Sequence, residues 1–156
     1  MRKSLAIAFA TVLLAAGCGS NTSTGSTPTR DESKQNRIAA QFVVRTQAQL
    51  KRHEFEQAWR TLHPAEKRVI SAQRLASCYP RNQFPGTVTF RTHEISDVRW
   101  TVPGTGDTTD AKEVTVSVTS AGQPKQSFTQ HVVRVGGRWT WMLSSAYFAR
   151  AKSGKC

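Results

Sequence analysis

Apolar residues recur at a helical period in the first half of the chain. A first amphipathic helix is predicted to begin after Ser33, with one face formed by Ala39, Phe42, Val43, Thr46 and Leu50. A second helix repeats the spacing, and its apolar face consists of Phe55, Ala58, Trp59 and Leu62. This helix should end at His63 because a residue that precedes proline disfavours the α conformation.

A third helix is predicted after a short helical turn. Pro64 suits the first position of that turn, where a missing N–H has no consequence. Ser71 is a favourable N-cap for the third helix, which carries Leu75 and Cys78 before it stops at residues 79–80.

The second half of the chain changes to a period of two, which is typical of half-buried strands. Alternating apolar residues mark strands around residues 98–102, 114–118, 126–135 and 138–143, and residues 145–151 form a last short helix. Gly136-Gly137 is a two-residue hairpin signal between the last two strands. The order predicts an α+β fold, with three N-terminal helices packed on a curved antiparallel sheet and a short C-terminal helix.

The N-terminus has the pattern of a signal peptide over residues 1–17. Arg2 and Lys3 precede an apolar run over residues 5–16, which is shorter than the roughly 20 residues of a transmembrane helix. Residues 14–18 (LAAGC) resemble the end of a bacterial lipoprotein signal. The resemblance implies that the thiol of Cys18 receives a diacylglycerol and that the protein is held on the extracytoplasmic face of the cell membrane.

Residues 18–33 are interpreted as the lipidated cysteine and a flexible tether. Residues 19–33 are rich in Ser, Thr and Gly and contain no aliphatic side chain. The folded domain is therefore expected to occupy residues 34–156.

The chain is strongly basic, with 22 Lys and Arg against 10 Asp and Glu. Its net charge of +12 becomes +10 once Arg2 and Lys3 leave with the signal. Outside the cytoplasm the available anions are lipid headgroups and cell-surface polymers, so nucleic acid is not an expected partner. The alternative is a basic solvated surface, since the charges are spread along the chain. An envelope protein is a further candidate partner, and the oligomeric state stays open.

Cys78 and Cys156 remain once Cys18 is assigned to the anchor. Two thiols in an oxidising compartment most simply form one disulfide. A metal or redox site is disfavoured because the sequence has no CxxC pair and no histidine cluster at ligand spacing. No metal and no cofactor are expected.

Two segments resemble nuclear transport factor 2-like domains, the superfamily of the SnoaL and ketosteroid isomerase-like cones. They are residues 55–64 (FEQAWRTLHP) and residues 136–141 (GGRWTW), and the layout over residues 34–156 is similar to lipoproteins of that superfamily in high-GC Gram-positive bacteria. The resemblance implies a cone with an open pocket. Some members are isomerases or cyclases, whereas many are non-catalytic binding or accessory domains. A Cys78–Cys156 pair would tie the third helix to the C-terminal end, which suits that fold.

No catalytic motif is recognised, since the sequence has no nucleophile elbow, phosphate loop or SxxK motif. An isomerase-like pocket would need a general base and an opposing hydrogen-bond donor. The candidate bases are Asp97, His93 and His131, with Tyr79 or Tyr147 as donors. Strand alternation leaves His131 as the one that faces inward.

The candidate pocket residues are Trp100, His131 and Trp141, although tryptophans more often build a core. We expect no catalytic residue and a lipid-anchored, non-enzymatic binding or accessory domain. The alternative is a small-molecule-binding or isomerase-like enzyme that uses the cone pocket.

Overall fold

The described chain combines five helices with one antiparallel sheet. The computed structural model describes residues 29–79 and 86–156, so Cys18 and the predicted signal lie outside the described residues. The helices are α1 (Arg30–Lys51), α2 (Phe55–Arg60), α3 (Pro64–Lys67), α4 (Ala72–Cys78) and α5 (Ser145–Ser153). The strands are β1 (Val88–Thr101), β2 (Thr108–Ser120), β3 (Gln126–Val135) and β4 (Arg138–Trp141), and they pair in that order. The α+β prediction is therefore confirmed.

Helix α1 begins at Arg30, four residues before the predicted start after Ser33. Thr29 is its N-cap, and the Thr29 hydroxyl accepts a hydrogen bond from the backbone N–H of Glu32 at 3.2 Å. Asp31 and Glu32 lie in the first turn, where negative charge is favourable near the positive end of the helix dipole. Residues 30–33 therefore belong to the helix and not to the tether. None of the described helices is long and apolar enough to cross a membrane.

The short helices begin where the sequence predicts. Pro64 opens α3, and the imidazole Nδ1 of His63 accepts a hydrogen bond from the N–H of Ala65 at 3.3 Å. Ser71 caps α4 by accepting from the N–H of Arg74 at 3.1 Å. Both caps satisfy N–H groups that have no partner within the helix.

The first two strands are longer than the sequence pattern suggested. Strand β1 covers Val88–Thr101 and β2 covers Thr108–Ser120, whereas the alternation predicts strands only over residues 98–102 and 114–118. The register between β1 and β2 shifts between Thr92 and Ile95, which is a β-bulge. Strand β4 is shorter than predicted and ends at Trp141, because the backbone N–H of Leu143 bonds to the carboxyl of Glu66 instead of to a strand.

The main core lies between α1 and the sheet, and α1 contacts all four strands. The buried core residues on this face of the strands include Val114, Val116, Val132 and Trp141. Val133 points to the opposite face because successive side chains alternate along a strand. There it joins a second cluster, whose buried residues are Ala65, Val102, Ala111, Val133 and Met142.

Strand β4 lies at one end of the sheet order, and the segment from α2 to α3 docks on its open edge. Leu62 and Trp141 form a parallel bridge, in which the N–H of Trp141 donates to Thr61 at 3.1 Å and the N–H of His63 donates to Trp141 at 2.9 Å. The indole Nε1 of Trp141 also donates to the backbone oxygen of Ala58 at 2.8 Å. This docking satisfies edge groups that would otherwise be open to pairing with another chain.

Cys78 and Cys156 form a disulfide, which is the pairing that the sequence predicts. It connects the end of α4 with the segment that follows α5, across a sequence separation of 78 residues. In the chain-entropy model a loop of this length stabilises the folded state by about 4.5 kcal/mol, because the unfolded chain loses freedom.

Glu66 is a fully buried carboxyl group, with 0% of the residue exposed to solvent. Its two oxygens accept from the backbone N–H of Leu143 at 3.1 and 3.3 Å. Burial raises the pKa of Glu66 to about 8, and the hydrogen bond from Leu143 opposes that rise. The neutral acid is therefore the main form at neutral pH.

We predict that Glu66 makes the protein less stable as the pH rises. Because its pKa of about 8 lies above the ordinary 4.5, the bound proton favours the folded state. Its full effect is present below pH 4.5 and is lost as the pH rises through 8. The change corresponds to roughly 5 kcal/mol, since one pKa unit is about 1.4 kcal/mol. Glu66→Gln keeps an acceptor for Leu143 and should remove this dependence, as measured by guanidinium unfolding between pH 5 and 9.

The matched control is Glu56→Gln, which changes an exposed carboxyl group paired with Arg60. The free energy of unfolding of this control variant should depend on pH in the same way as that of the unsubstituted protein. Superimposable profiles for Glu66→Gln and the unsubstituted protein would contradict the assignment of a buried proton to Glu66.

Candidate functional site

A cleft lies where β4 ends and the chain turns toward α5. Strand β4 pairs only with residues 132–135 of β3, so the earlier part of β3 has no strand partner on this edge. The N–H of Met142 donates to the backbone oxygen of His131 at 3.0 Å, which fixes one end of the cleft. The cleft has a volume of about 330 Å³ and is lined by residues that include Trp100, His131 and Trp141. The structure thus brings the three candidate pocket residues to one cleft.

Trp141 forms part of the wall, but its polar atom is committed elsewhere. The residue is 3% exposed, and its indole N–H bonds to the backbone oxygen of Ala58. A ligand could contact the ring of Trp141 but would have to break that bond to use the donor. Trp141 is therefore mainly a structural residue of the cleft.

Gln130 and Tyr147 also line the cleft, and their polar groups are likewise used within the protein. The side-chain amide of Gln130 donates to the backbone oxygen of Met142 at 2.6 Å and accepts from Gln47 of α1 at 3.0 Å. The Tyr147 hydroxyl donates to the backbone oxygen of Leu75 at 3.2 Å. Burial, followed by the neighbouring Tyr79, raises the pKa of Tyr147, so it stays a neutral phenol. The polar groups of both side chains are therefore committed to bonds within the protein.

His131 is 7% exposed and pairs with Glu113 of the neighbouring strand. Its Nε2 lies 2.9 Å from a carboxylate oxygen of Glu113. Burial lowers the pKa of His131 below its ordinary value, and the hydrogen bond and charge of Glu113 act in the opposite direction. Because a carboxylate can only accept, Nε2 carries the proton in the neutral imidazole and Nδ1 is left with a lone pair.

Trp100 completes the site by stacking on His131. The two ring centroids are 3.4 Å apart and the rings are inclined by 16°. The indole Nε1 of Trp100 is buried and has no hydrogen-bond partner among the described residues. A buried donor without an acceptor costs about 1–3 kcal/mol, so this atom is where the site lacks a partner.

The other candidate bases lie elsewhere. His93 bonds to the hydroxyl of Ser117 at 2.6 Å, and Asp97 forms an ion pair with Lys112 at 2.7 Å. Neither His93 nor Asp97 lines the cleft, so His131 is the one candidate base that does. No group of three or more His, Cys, Asp or Glu side chains within residues 29–79 and 86–156 is arranged to hold a metal ion.

Sequence reasoning missed Glu113, the partner of His131. Glu113 lies directly across from His131 in the pairing of β2 with β3. The strand pattern had indicated β2 only from residue 114 onward, so the register that places this carboxylate beside His131 was not visible. Extending the alternation of β2 backward by one residue would have placed Glu113 in the strand, but only the register shows that it lies opposite His131.

The chain matches no protein-family model, no curated protein and no solved structure in the comparisons. The cleft must therefore be interpreted from its own geometry. Its features are a stacked Trp100–His131 pair, a carboxylate on the imidazole and one unpaired indole donor.

We predict that removing the Glu113 carboxylate lowers the pKa of His131 further. In Glu113→Gln the imidazolium loses its charged partner while the ring stays buried. The neutral imidazole therefore becomes more stable relative to the imidazolium. The imidazole resonances of His131, followed by NMR between pH 4 and 8, should titrate at a lower pH than in the unsubstituted protein.

His63 is the internal control, because burial and the nearby Arg68 and Lys67 lower its pKa without any contribution from Glu113. Its titration should be the same in both proteins. A His131 titration that stays in place or moves to higher pH in Glu113→Gln would contradict the pairing.

Proposed function

We propose that this protein is a lipid-anchored extracytoplasmic binding domain that holds a small ligand in the cleft at Trp100 and His131. The anchor would be a diacylglycerol on Cys18, and the tether would keep the domain near the outer face of the cell membrane. The four-stranded sheet with α1 across it suits a nuclear transport factor 2-like cone. We take the domain to be a binding or accessory module and not an enzyme.

One observation carries the binding proposal, namely the unpaired indole N–H of Trp100. The polar side-chain groups of Gln130, Trp141 and Tyr147 in the wall already have partners in the protein. Trp100 lines the cleft, and its Nε1–H is buried and lacks an acceptor among the described residues. A ligand that supplies an acceptor would remove the cost of leaving this donor unpaired.

The cleft favours a neutral, flat ligand with a carbonyl oxygen. Aromatic walls such as Trp100 and Trp141 offer faces for ring stacking. Glu113 brings negative charge next to His131, and burial keeps that imidazole neutral, so an anionic ligand would be repelled. An anionic polymer therefore fits the basic surface of the domain better than it fits this cleft. The volume of about 330 Å³ lies at the lower end of the usual range for small-molecule sites.

The test is an NMR titration with small aromatic ketones, of which acetophenone is the first probe. Each tryptophan gives one indole N–H resonance, and Trp100→Phe identifies the signal of Trp100 while retaining an aromatic ring. We expect a saturable downfield shift of the Trp100 indole proton as it acquires an acceptor. Binding should weaken about tenfold in Trp100→Phe, as expected for the loss of one hydrogen bond.

Trp139→Phe is the matched control, because Trp139 lies in a different groove, between α1 and β4. This variant should bind the ketone as the unsubstituted protein does. Equal binding by Trp100→Phe, or shifts spread over all tryptophans without saturation, would refute the cleft as a ligand site.

The Glu113–His131 pair favours an isomerase-like enzyme as the second candidate. With Nε2 held by Glu113, the Nδ1 lone pair could accept a proton from the carbon next to a ligand carbonyl. The Trp100 N–H would then stabilise the dienolate oxygen of a β,γ-unsaturated ketone, and the proton would return to the γ-carbon as the double bond moves into conjugation with the carbonyl. In this mechanism the Trp100 N–H stabilises the negative oxygen, and Nδ1 of His131 transfers the proton.

We predict that such an enzyme would exchange the methyl protons of acetophenone for deuterium in heavy water. The rate should fall at least 100-fold in His131→Gln, which removes the base, and less in Glu113→Gln, which only frees its orientation. Proton NMR of the ketone measures the exchange directly. If the ketone binds saturably but exchanges its methyl protons no faster than in buffer, the acid–base role of His131 is excluded. The protein would then be a binding domain and not an isomerase-like enzyme.

A further inference from the structure

Helix α1 carries a row of basic residues on the face opposite its buried side. The row, called here the basic stripe, consists of Arg30, Lys34, Arg37 and Arg45. Their spacings of four, three and eight residues keep them on one side of the helix. All four are exposed, whereas the other side of α1 buries residues such as Phe42, Val43 and Leu50. At 1.5 Å per residue the stripe is about 22 Å long.

The charges of the stripe are not neutralised within the described part of the chain. None of its four cations forms an ion pair there, whereas Arg52, Arg60, Arg99 and Lys112 each contact a carboxylate. The guanidinium of Arg45 makes a cation–π contact with Phe42, 5.8 Å from the ring centroid, which brings no negative charge to the stripe. The acidic residues of α1 are Asp31 and Glu32 in its first turn. The remainder of the helix presents positive charge alone.

We propose that the basic stripe binds the anionic lipid headgroups of the membrane that carries the Cys18 anchor. For its location this inference rests on the lipid anchor proposed above. Arg30 follows Cys18 by 12 residues, a distance of about 40 Å when fully stretched and nearer 20 Å as a flexible coil. The stripe is thus the first charged surface of the folded domain that the tether brings to the headgroups.

Charge complementarity identifies the lipid surface as the partner. A headgroup layer that contains anionic lipids is an extended negative surface, and a straight row of cations can contact it along its whole length. Each Lys or Arg near such a surface strengthens binding about fivefold, and the attraction decays within about 10 Å at ordinary ionic strength. The tether of 12 residues allows the stripe to approach the headgroups closely enough for this attraction to act. The stripe would thereby orient the domain, with α1 toward the membrane.

The test measures vesicle binding by the mature chain, residues 18–156, made without acyl groups and with Cys18→Ser so that no third thiol interferes. The vesicles are phosphatidylcholine alone or phosphatidylcholine with 30% phosphatidylglycerol, and binding is measured by sedimentation in 0.1 M salt. We expect at least tenfold stronger binding to the anionic vesicles. Replacing the four stripe residues (Arg30→Gln, Lys34→Gln, Arg37→Gln, Arg45→Gln) should remove that preference.

A charge-matched variant separates the stripe from net charge. It neutralises four exposed cations on other elements and loops: Arg91→Gln, Lys125→Gln, Lys152→Gln and Lys155→Gln. This variant should retain at least half of the binding. Glutamine has a helix propensity close to those of arginine and lysine, so α1 should still form. Circular dichroism checks that the variants fold. Replacing the pairs Arg30/Lys34 and Arg37/Arg45 separately should reduce vesicle binding less than replacing all four residues.

Three results would overturn the proposal. Equal binding to both kinds of vesicle would exclude headgroup charge, and an equal loss in the charge-matched variant would exclude the stripe. Binding to soluble polyphosphate without binding to anionic vesicles would assign the stripe to a cell-surface polymer. The anchor is tested separately by the mass of the native N-terminal peptide. An unmodified Cys18 would contradict the anchor while leaving the vesicle result intact.

Discussion

The docking of the α2–α3 segment on β4 through Trp141 is the contact on which the rest of the structure depends. Trp141 uses its backbone N–H, its backbone oxygen and its indole N–H to bind this segment. One residue thereby closes the edge of the sheet, fixes the entry to α3 and forms a wall of the cleft. Because β4 ends at Trp141, the chain is free to turn away toward α5. The cleft exists because the ladder between β3 and β4 stops there.

The same docking places a carboxyl group in the interior. Glu66 follows immediately in α3 and has the N–H of Leu143 as its hydrogen-bond donor. A carboxylate there would be desolvated with a single neutral donor, and protonation relieves that cost. Trp100 is the opposite case, since its polar atom is a buried donor that has received no acceptor. Protonation compensates the burial of Glu66, whereas the indole N–H of Trp100 remains without an acceptor among the described residues.

Much of the fold follows from local sequence signals. Ser71 and Pro64 begin α4 and α3 as predicted, and Gly136 and Gly137 both have positive φ, of 57° and 79°, as a tight two-residue hairpin requires. These features depend on one or two residues and their immediate backbone, which explains why they can be recognised in a single sequence. The strand Gln126–Val135 was also predicted with its observed bounds.

Features that depend on distant residues could not be predicted in this way. The bulge between Thr92 and Ile95 reverses the alternation within β1, so the strand does not show one continuous pattern. The pairing of Glu113 with His131 depends on strand register, and Glu66 follows proline and alanine in what looks like an exposed turn. For the site, sequence alone gave Trp100, His131 and Trp141 as candidates. The hydrogen bonds that distinguish a structural tryptophan from an available one came from the structure.

The position of α1 has a consequence for the order of folding. Its apolar face contacts all four strands, including β4, which begins more than 80 residues after the helix ends. Such contacts have high sequence separation, and their loop-closure entropy slows folding. Until the strands have folded, α1 can form by local hydrogen bonds but its apolar face cannot yet be covered. Its apolar side would then be available to chaperones or to other chains until the hairpin of β3 and β4 has formed.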